Sequence, residues 1–412
     1  ENIVHLVLAK IPGPDGKLVP GTKGISLFIV PKQLVDTAGR LTGERNDVAL
    51  AGLNHKLGYR GIPNTLLNFG EGRFPVRGSG GAIGYRVGAP GEGLRCMFDM
   101  MNEARIAIGL GAVTLGYAGY EASLQYARDR VQGRPSQKSA PGGAGGPAGK
   151  DVAKPPVRII EHADVKRMLL AQKAYVEGGL ALALYCARLV DEQHTGASDA
   201  AQQATLLLEV LTPIVKSWPS EWCLEANSLA IQVHGGYGYT RDFAVEQYWR
   251  DNRLNMIHEG THGIQAQDLL GRKVVMAGGA GLKLLAARMQ ATIEHALRRE
   301  GFAPHAQALA AAWQAVDAAT RAAWASADPD DALMNAMPYM RAFGHVVVAW
   351  IWLELGLAAG DAGSTRGTDN ASAGRLQAMR YFYAYELPQV ASWLTVVNAR
   401  DPVCRDMRDE WF

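Results

Sequence analysis

Between residues 94 and 131 the chain carries no proline, and Ile106, Ile108, Leu110, Val113, Leu115, Tyr117 and Tyr120 spread round the axis of the helix such a run forms. A helix apolar on most faces is a buried one, so the rest of the chain must supply the helices that cover it. Gly109, Gly111, Gly116 and Gly119 lower helix propensity here, and their expected use is close approach of a neighbouring helix. Helical character returns at 159–192, 200–217, 220–233, 244–254 and 261–275. Gly235-Gly236 and Gly271 act as stops.

The regions on either side differ. Residues 2–11 and 24–32 are β-branched-rich runs separated by a turn-laden connection, and 65–69 and 83–87 are shorter runs among glycines and prolines. Ile3 to Leu8 reads as a buried strand, and 73–82 as a flexible loop. Residues 134–156 are a low-complexity Gly/Pro/Ala/Lys stretch, expected as a solvated loop. After Ala277 come alanine-rich helices at 281–327 and 330–359, then a last one at 371–399. Trp313 and Trp324 share a face there and are expected to anchor it, while Tyr381, Phe382, Tyr383 and Tyr385 are expected in packing. The expected fold is mainly α with a β portion. A partial β domain (1–94) precedes a helical bundle (95–275) and an appended helical domain (276–412).

Charge and cysteine usage exclude several classes. The 42 basic and 40 acidic side chains leave +2, no electrostatic footprint for a nucleic-acid binder or a polyacidic disordered chain. Cys96, Cys186, Cys223 and Cys404 are scattered, without CxxC or companion histidines, so neither a disulfide framework nor zinc is expected. A reducing interior follows, and the cytoplasm is the expected location. The longest apolar run, 346–353, is far short of the ~20 residues of a transmembrane helix, so no transmembrane segment is expected.

Two glycine-punctuated stretches carry candidate chemistry. In Gln232-Val233-His234-Gly235-Gly236-Tyr237-Gly238, a helix end followed by glycines exposes backbone N–H groups and lets a polyanion approach closely; a glycine cap with a tight turn explains the same residues. In Met256-Ile257-His258-Glu259-Gly260-Thr261-His262-Gly263-Ile264-Gln265, Glu259 lies in a linker between two helices, among apolar residues and glycine. A carboxylate held there is partly desolvated, which raises its pKa towards a general base's working range. Thr261 is placed to cap the following helix. His258 and His262, four apart, straddle Gly260 without a third ligand, so no metal site is expected. Neither GxSxG nor a cysteine in a basic setting occurs.

The stretch QVHGGYGYTRDFAVEQYWRDNRLNMIHEGTHGIQAQDLLGRKV closely resembles the C-terminal signature of the acyl-CoA dehydrogenases, and GEGLRCMFDMMNEAR, YARDRVQGR, IIEHADVKRMLL, KLGYRG and GISLFIVPK extend the resemblance over roughly 1–275. The helical extension ending RYFYAYELPQ is similar to that of the larger subgroup with an extra C-terminal domain, which includes the 3-methylthiopropanoyl-CoA dehydrogenases. The resemblance implies FAD as cofactor, an acyl-CoA substrate, an electron-transfer flavoprotein as acceptor, and a homodimer or tetramer.

It also assigns residues. Glu259 matches the base that removes the α-proton while the β-hydride passes to flavin N5, and the backbone N–H at Glu259 matches a donor to the thioester oxygen. Some family members carry the base just before the arginine matched by Arg105, where this chain has Ala104. Glu103 is read as a solvated or ion-paired helix residue. Asn102 and Arg105 match CoA contacts, Asn102 replacing the usual aspartate. Arg130, Gln132, Gln232, Gly235 and Gly236 match positions reaching the flavin diphosphate of a neighbouring subunit, with Gln132 in a shortened version of the motif. Thr261 matches a flavin-adenosine contact, and Gly263 replaces a frequent glutamine beside it. His258 and Gly260 fall against the acyl pocket, where His258 supplies a polar wall or simply packs.

The family's N-terminal helical domain and the first half of its strand domain have no counterpart here. A chain that opens on Glu1 and enters a strand at once reads as cut from a longer protein, the missing N-terminal segment being expected as a separate piece. Two other readings stay open. One is a non-catalytic flavoprotein relative with a DNA-protection or binding role, for which 276–412 offers no basic stripe. The other is an acyl-CoA oxidase, differing in oxygen access to the reduced flavin.

Overall fold

The computed structural model describes residues 2–135, 154–326, 328–366 and 369–412, so most of the low-complexity stretch read as a loop, 136–153, lies outside the described residues. The fold is mainly helical with a small β portion, and the chain divides into two compact units, Glu1–Ala104 and Arg105–Phe412.

In the first unit β1 (Val4–Lys10), β2 (Ile25–Pro31) and β7 (Tyr85–Val87) form an antiparallel sheet with β2 in the middle. Val4 pairs with Pro31 and Leu27 with Val87. Four strands lie between: β3 (Gln33–Val35) pairs with β4 (Leu41–Arg45), and β5 (Val48–Asn54) pairs with β6 (Asn64–Phe69) across a bulge between Leu50 and Gly52; β6 is the expected run at 65–69, and the other three were not expected. These segments are short and mix glycine and charge with apolar residues, so alternation gave no signal. β1 is not the buried strand its composition suggests. It is a sheet edge, and Val4, Leu6 and Leu8 on one face are each more than 40% exposed.

The segment 70–82 is not free either. Asp47, buried, accepts the backbone N–H groups of Gly72 (2.6 Å), Phe74 (3.0 Å) and Gly81 (3.1 Å). Those bonds, led by Phe74, hold its carboxyl below the usual aspartate range. Neighbouring Asn46 bonds Pro31 O and both backbone groups of Ile83, so two adjacent polar side chains replace a ladder.

In the second unit the main hydrophobic core runs from Ile106 to Val397, and a smaller cluster of Ala127, Met168, Leu169 and Val233 is separate from it. Helix α1 (Gly93–Asp129) enters it, and α2 (Ala163–Thr195) and α3 (Ser198–His234) pack as a helical hairpin. Three of the four α1 glycines do what was expected of them. A methyl group would lie 1.9 Å from Val215 O at Gly109, 2.8 Å from Cys223 Cβ at Gly116 and 2.5 Å from Asn227 Nδ2 at Gly119. Gly111 faces open space.

The break expected between 217 and 220 is absent: α3 continues through Pro213 and Pro219. Pro219 cannot donate to Val215 O, and that carbonyl packs against α1 at Gly109.

Three short elements follow: α4 (Val245–Asn252), α5 (His262–Asp268) and a π-helical turn, Leu269–Lys273. The C-terminal helices are α6 (Met276–Leu297), entered through left-handed Ala277–Gly279, then α7 (Ala303–Ala323), α8 (Pro329–Leu333) and α9 (Ala336–Arg366). The single last helix expected at 371–399 is two, α10 (Asn370–Tyr381) and α11 (Gln389–Ala399). A second π-helical turn, Phe382–Glu386, and Pro388 separate them.

Trp313 packs edge-on to Phe343 of α9, and Trp324 donates to Leu270 O at 3.1 Å, as anchors should. Tyr381, Phe382 and Tyr383 are buried, while Tyr385 is exposed and stacks on Tyr381. Within α9 the span Ala336–Gly360 is long and apolar enough to cross a membrane, a property hidden from a count of uninterrupted apolar residues. It is 83% buried inside the chain, with Trp352 wedged at Gly178 of α2 and donating to Ala174 O at 3.1 Å. That is the setting of a core helix.

Candidate active site

Midway along α3, among Ile214, Val215 and Trp218, stands a lysine with no solvent exposure. Lys216 Nζ donates to Asn255 O (2.9 Å) and Gly260 O (2.6 Å), the two ends of the segment that carries Glu259. Asn255 extends the arrangement into a buried polar ladder. Asn255 Nδ2 donates to Asn252 Oδ1 (2.9 Å), Asn252 Nδ2 to Asn227 Oδ1 (2.7 Å) and Ala112 O (3.1 Å), and Asn227 Nδ2 to Leu115 O (2.9 Å). Every member is buried, so each lost partner would leave a polar group stranded.

The loop on top of this ladder has unusual backbone. Glu259 sits at φ 55° and Gly260 at φ 94°, both in the left-handed region. A non-glycine residue there is strained by roughly 1–2 kcal/mol and needs support from its surroundings. Support comes from below through Lys216 and from α5 through Gln265, fully buried, whose Nε2 donates to Glu259 O at 3.1 Å. A side chain at 260 would run into that amide, 2.4 Å away. Thr261 is the N-cap of α5, its hydroxyl accepting from Ile264 N–H at 3.5 Å. Glu259 is half-buried, and among the described residues its N–H donates to no backbone carbonyl.

Buried cations surround the loop. Arg105, 4% exposed, faces Asp268 of α5 at 3.5 Å, and burial lowers its pKa against the opposing pull of Asp268 and Glu259. Burial, with Arg105 adding to it, pushes Lys216 down to about 8 while the charge of Glu259 acts the other way. Lys273 in the π-helical turn is likewise pushed down to about 8 by burial and Arg105, and pairs with Glu209. His262 is buried with neither ring nitrogen hydrogen-bonded; burial, then Lys216, Arg341 and Arg253, push it down to about 4. His258 is fixed differently, its Nδ1 bonded to Leu254 O at 3.0 Å. Among the described residues no cluster of three His, Cys, Asp or Glu side chains stands ready for a metal ion.

The other glycine stretch builds a separate cleft. Arg130, Gln132, Gln232 and Gly235 line a cavity of about 310 Å³ together with Tyr126 and His162. The end of α1 is tied there by Gln132 N–H to Val157 O (2.9 Å) and Ile159 N–H to Arg130 O (2.8 Å), and His162 Nε2 bonds Gln132 O at 2.8 Å. Arg130 lies over the Tyr237 ring and also donates to Gln132 Oε1. Gly235 is left-handed at φ 62°, and a methyl group on Gly235 or Gly236 would meet nothing within 4 Å. Behind them His234 is buried, stacked on Tyr126, and burial lowers its pKa.

The sequence-derived candidates therefore fall into two groups. His258, Glu259, Gly260, Thr261 and Gly263 gather around the start of α5 with Arg105 against its last residue, whereas Arg130, Gln132, Gln232, Gly235 and Gly236 gather at the far end of α3. Roughly 24 Å of helix axis separates Lys216 from Gln232. Asn102 is half-buried on α1, and Glu103 is exposed on the same helix and engaged with a neighbour. Lys216, Asn252, Asn255 and His162 escaped the sequence reading, and Gln265, the last residue of the second glycine stretch, carried no role in it. A lysine inside the apolar run TPIVKSW was the available signal, because lysine is almost never fully buried without a partner.

Comparison with known proteins gives concordant results. Residues 152–274 match the family model "Acyl-CoA dehydrogenase, C-terminal domain", and 285–408 match "Acetyl-CoA dehydrogenase C-terminal like". A 3-methylmercaptopropionyl-CoA dehydrogenase of Ruegeria pomeroyi is 39% identical over 87% of this chain and 56% of its own length. A broad-specificity linear acyl-CoA dehydrogenase of Mycobacterium tuberculosis is 31% identical over 97% of this chain and 64% of its own. The chain thus spans a little over half to just under two thirds of these relatives. In fold it is similar to an acyl-CoA dehydrogenase from Bacillus anthracis crystallised with FAD (TM-score 0.71, 18% identity, 99% of this chain, 62% of that one).

Proposed function

Because this chain belongs to the acyl-CoA dehydrogenase family, we propose that the protein oxidises an acyl-CoA thioester to the trans-2-enoyl-CoA, with Glu259 as the base that takes the α-proton. The observation that carries this reading is the support of Glu259, held left-handed with its own carbonyl engaged by Gln265 and that of Gly260 by Lys216. An α-proton of a thioester is weakly acidic, so removing it leaves enolate charge on the thioester oxygen that needs a preorganised donor. The Glu259 N–H is a donor of that kind. Its backbone, held in place by Gln265 and Lys216, lowers the cost of ordering the base during the reaction.

FAD supplies, when bound, the acceptor for the β-hydride. The end of α3 fits a dinucleotide diphosphate. Gly235 and Gly236 leave open the space side chains would fill, and Arg130 is a guanidinium on the wall of the same cleft. Arg130, Gln132, Gln232, Gly235 and Gly236 would hold the diphosphate, and Thr261 with Gly263 the adenosine side. The separation of this cleft from Glu259 supports a homodimer or tetramer in which the cleft of one subunit serves the site of the next. Asn102 and Arg105 fall to the CoA side, and His258 and Gly260 to the acyl side. An electron-transfer flavoprotein is the proposed acceptor and the cytoplasm the proposed location. The division into 1–94, 95–275 and 276–412 is retained as the functional partition.

Replacing Glu259 with Gln tests the central claim in an enoyl-CoA-forming assay with an artificial electron acceptor. Loss of at least ~10²-fold in kcat, the usual contribution of a positioned base, is expected; near-normal turnover would remove Glu259 from the role. Peroxide release in air in the same assay would point to an oxidase instead.

A further inference from the structure

Nothing in the proposed chemistry requires a lysine beneath the base, yet Lys216 has one of the largest fully buried side chains in the molecule. Burying an ammonium is costly unless it is well bonded. The two acceptors it has found are not in one helix or one turn. They are Asn255 O and Gly260 O, the two ends of the segment bearing Glu259.

Its own helix is arranged for this. Ser220 Oγ donates to Lys216 O at 2.5 Å, and Pro219 brings no N–H into the same turn. At the other end Asn255 is locked through Asn252 and Asn227 to α1, so one lysine couples a loop to two long helices.

We propose that Lys216 is a positioning residue for the base: its ammonium clamps Asn255 O and Gly260 O together and thereby holds Glu259 in its left-handed conformation. The link to turnover rests on Glu259 being the base; the clamp itself does not. Lys216 touches neither reacting atom, so its removal should misplace the carboxylate and leave acyl-CoA binding largely intact.

The test compares wild type, Lys216→Met and Lys216→Arg of the full chain by steady-state kinetics and amide hydrogen exchange. In Lys216→Met, kcat should fall about 10²-fold, the effect of a displacement near 1 Å, with KM within about threefold. Peptides covering 255–262 should lose at least tenfold in protection while those of α2 stay unchanged. Lys216→Arg, which keeps the charge but moves the donors, should show a smaller loss of both kinds. Adding Lys216→Met to Glu259→Gln should cost nothing further in kcat, because the two residues act as a unit.

Unchanged protection at 255–262 in Lys216→Met would overturn the clamp, and so would unchanged kcat in an enzyme that needs Glu259. If the Met variant does not fold, the Arg variant decides, and full kcat with full protection there would overturn the proposal. Should Glu259→Gln stay active, the role of Glu259 fails, while the exchange result still judges the clamp.

Discussion

The two glycine-bearing loops use the same residue for opposite purposes. At the end of α3, Gly235 is left-handed with empty space where a side chain would project, in a cleft walled by Arg130 and Gln232. At the start of α5, Gly260 is left-handed against the Gln265 amide, with its carbonyl held by Lys216. The first loop is hollow, with open space beside a cleft. The second is filled and built to fix a carboxylate of its own. Similar sequence punctuation therefore marks an open cleft in one place and a brace in the other, and the neighbours decide which.

The largest effect expected from this contrast is at Gly260. Gly260→Ala adds a left-handed alanine and drives the Gln265 amide off Glu259 O, a loss of about 2–3 kcal/mol. Denaturant unfolding should show it, and relief of the steric part in Gly260→Ala/Gln265→Ala would identify the collision as its source.

Next comes acid. His262 is held neutral, its folded pKa of about 4 lying below the ordinary 6.5. The unfolded chain therefore binds the extra proton between those values. Stability should be full above pH 6.5 and fall as pH drops towards 4, by roughly 3 kcal/mol from this residue. A series of melting temperatures from pH 7 to pH 4 checks this, and His262→Gln should flatten it.

Smallest is Gly235→Ala, where only the left-handed backbone resists and no atom is struck: about 1 kcal/mol in stability. Its methyl group enters the cleft, so flavin retention should fall more than stability does. An equal response to alanine at 235 and at 260 would break the distinction between the loops.

Much of the helical scaffold was legible because it rests on periodicity and on glycines whose role is local. Gly109, Gly116 and Gly119 announced a close helix contact, and only Gly111 did not take part. Thr261 announced its cap. What was not legible depended on partners distant in sequence. Pro219 looks like a helix end until α1 is seen packed against the carbonyl it cannot bond. β1 looks buried because its composition is apolar, while its exposure is set by its place at the edge of the sheet. Of the candidate site, Glu259 and its flanking glycines stood out in the sequence, and the residues that brace them did not. Lys216 and Glu259 lie 43 positions apart, and no local pattern joins a helix lysine to a loop it will meet only after folding.

The continuous core of the second unit has a practical consequence for anyone dividing this molecule. Trp352 of α9 sits in the notch at Gly178, and Trp324 closes the Leu270 carbonyl of the π-helical turn. A cut near 275 would pass through a single cooperative body. The N-terminal product should show the spectroscopic signature of a loosened globule, and a chimera joining 105–275 to the C-terminal helices of another protein should need α2, α3 and α9 moved as one graft.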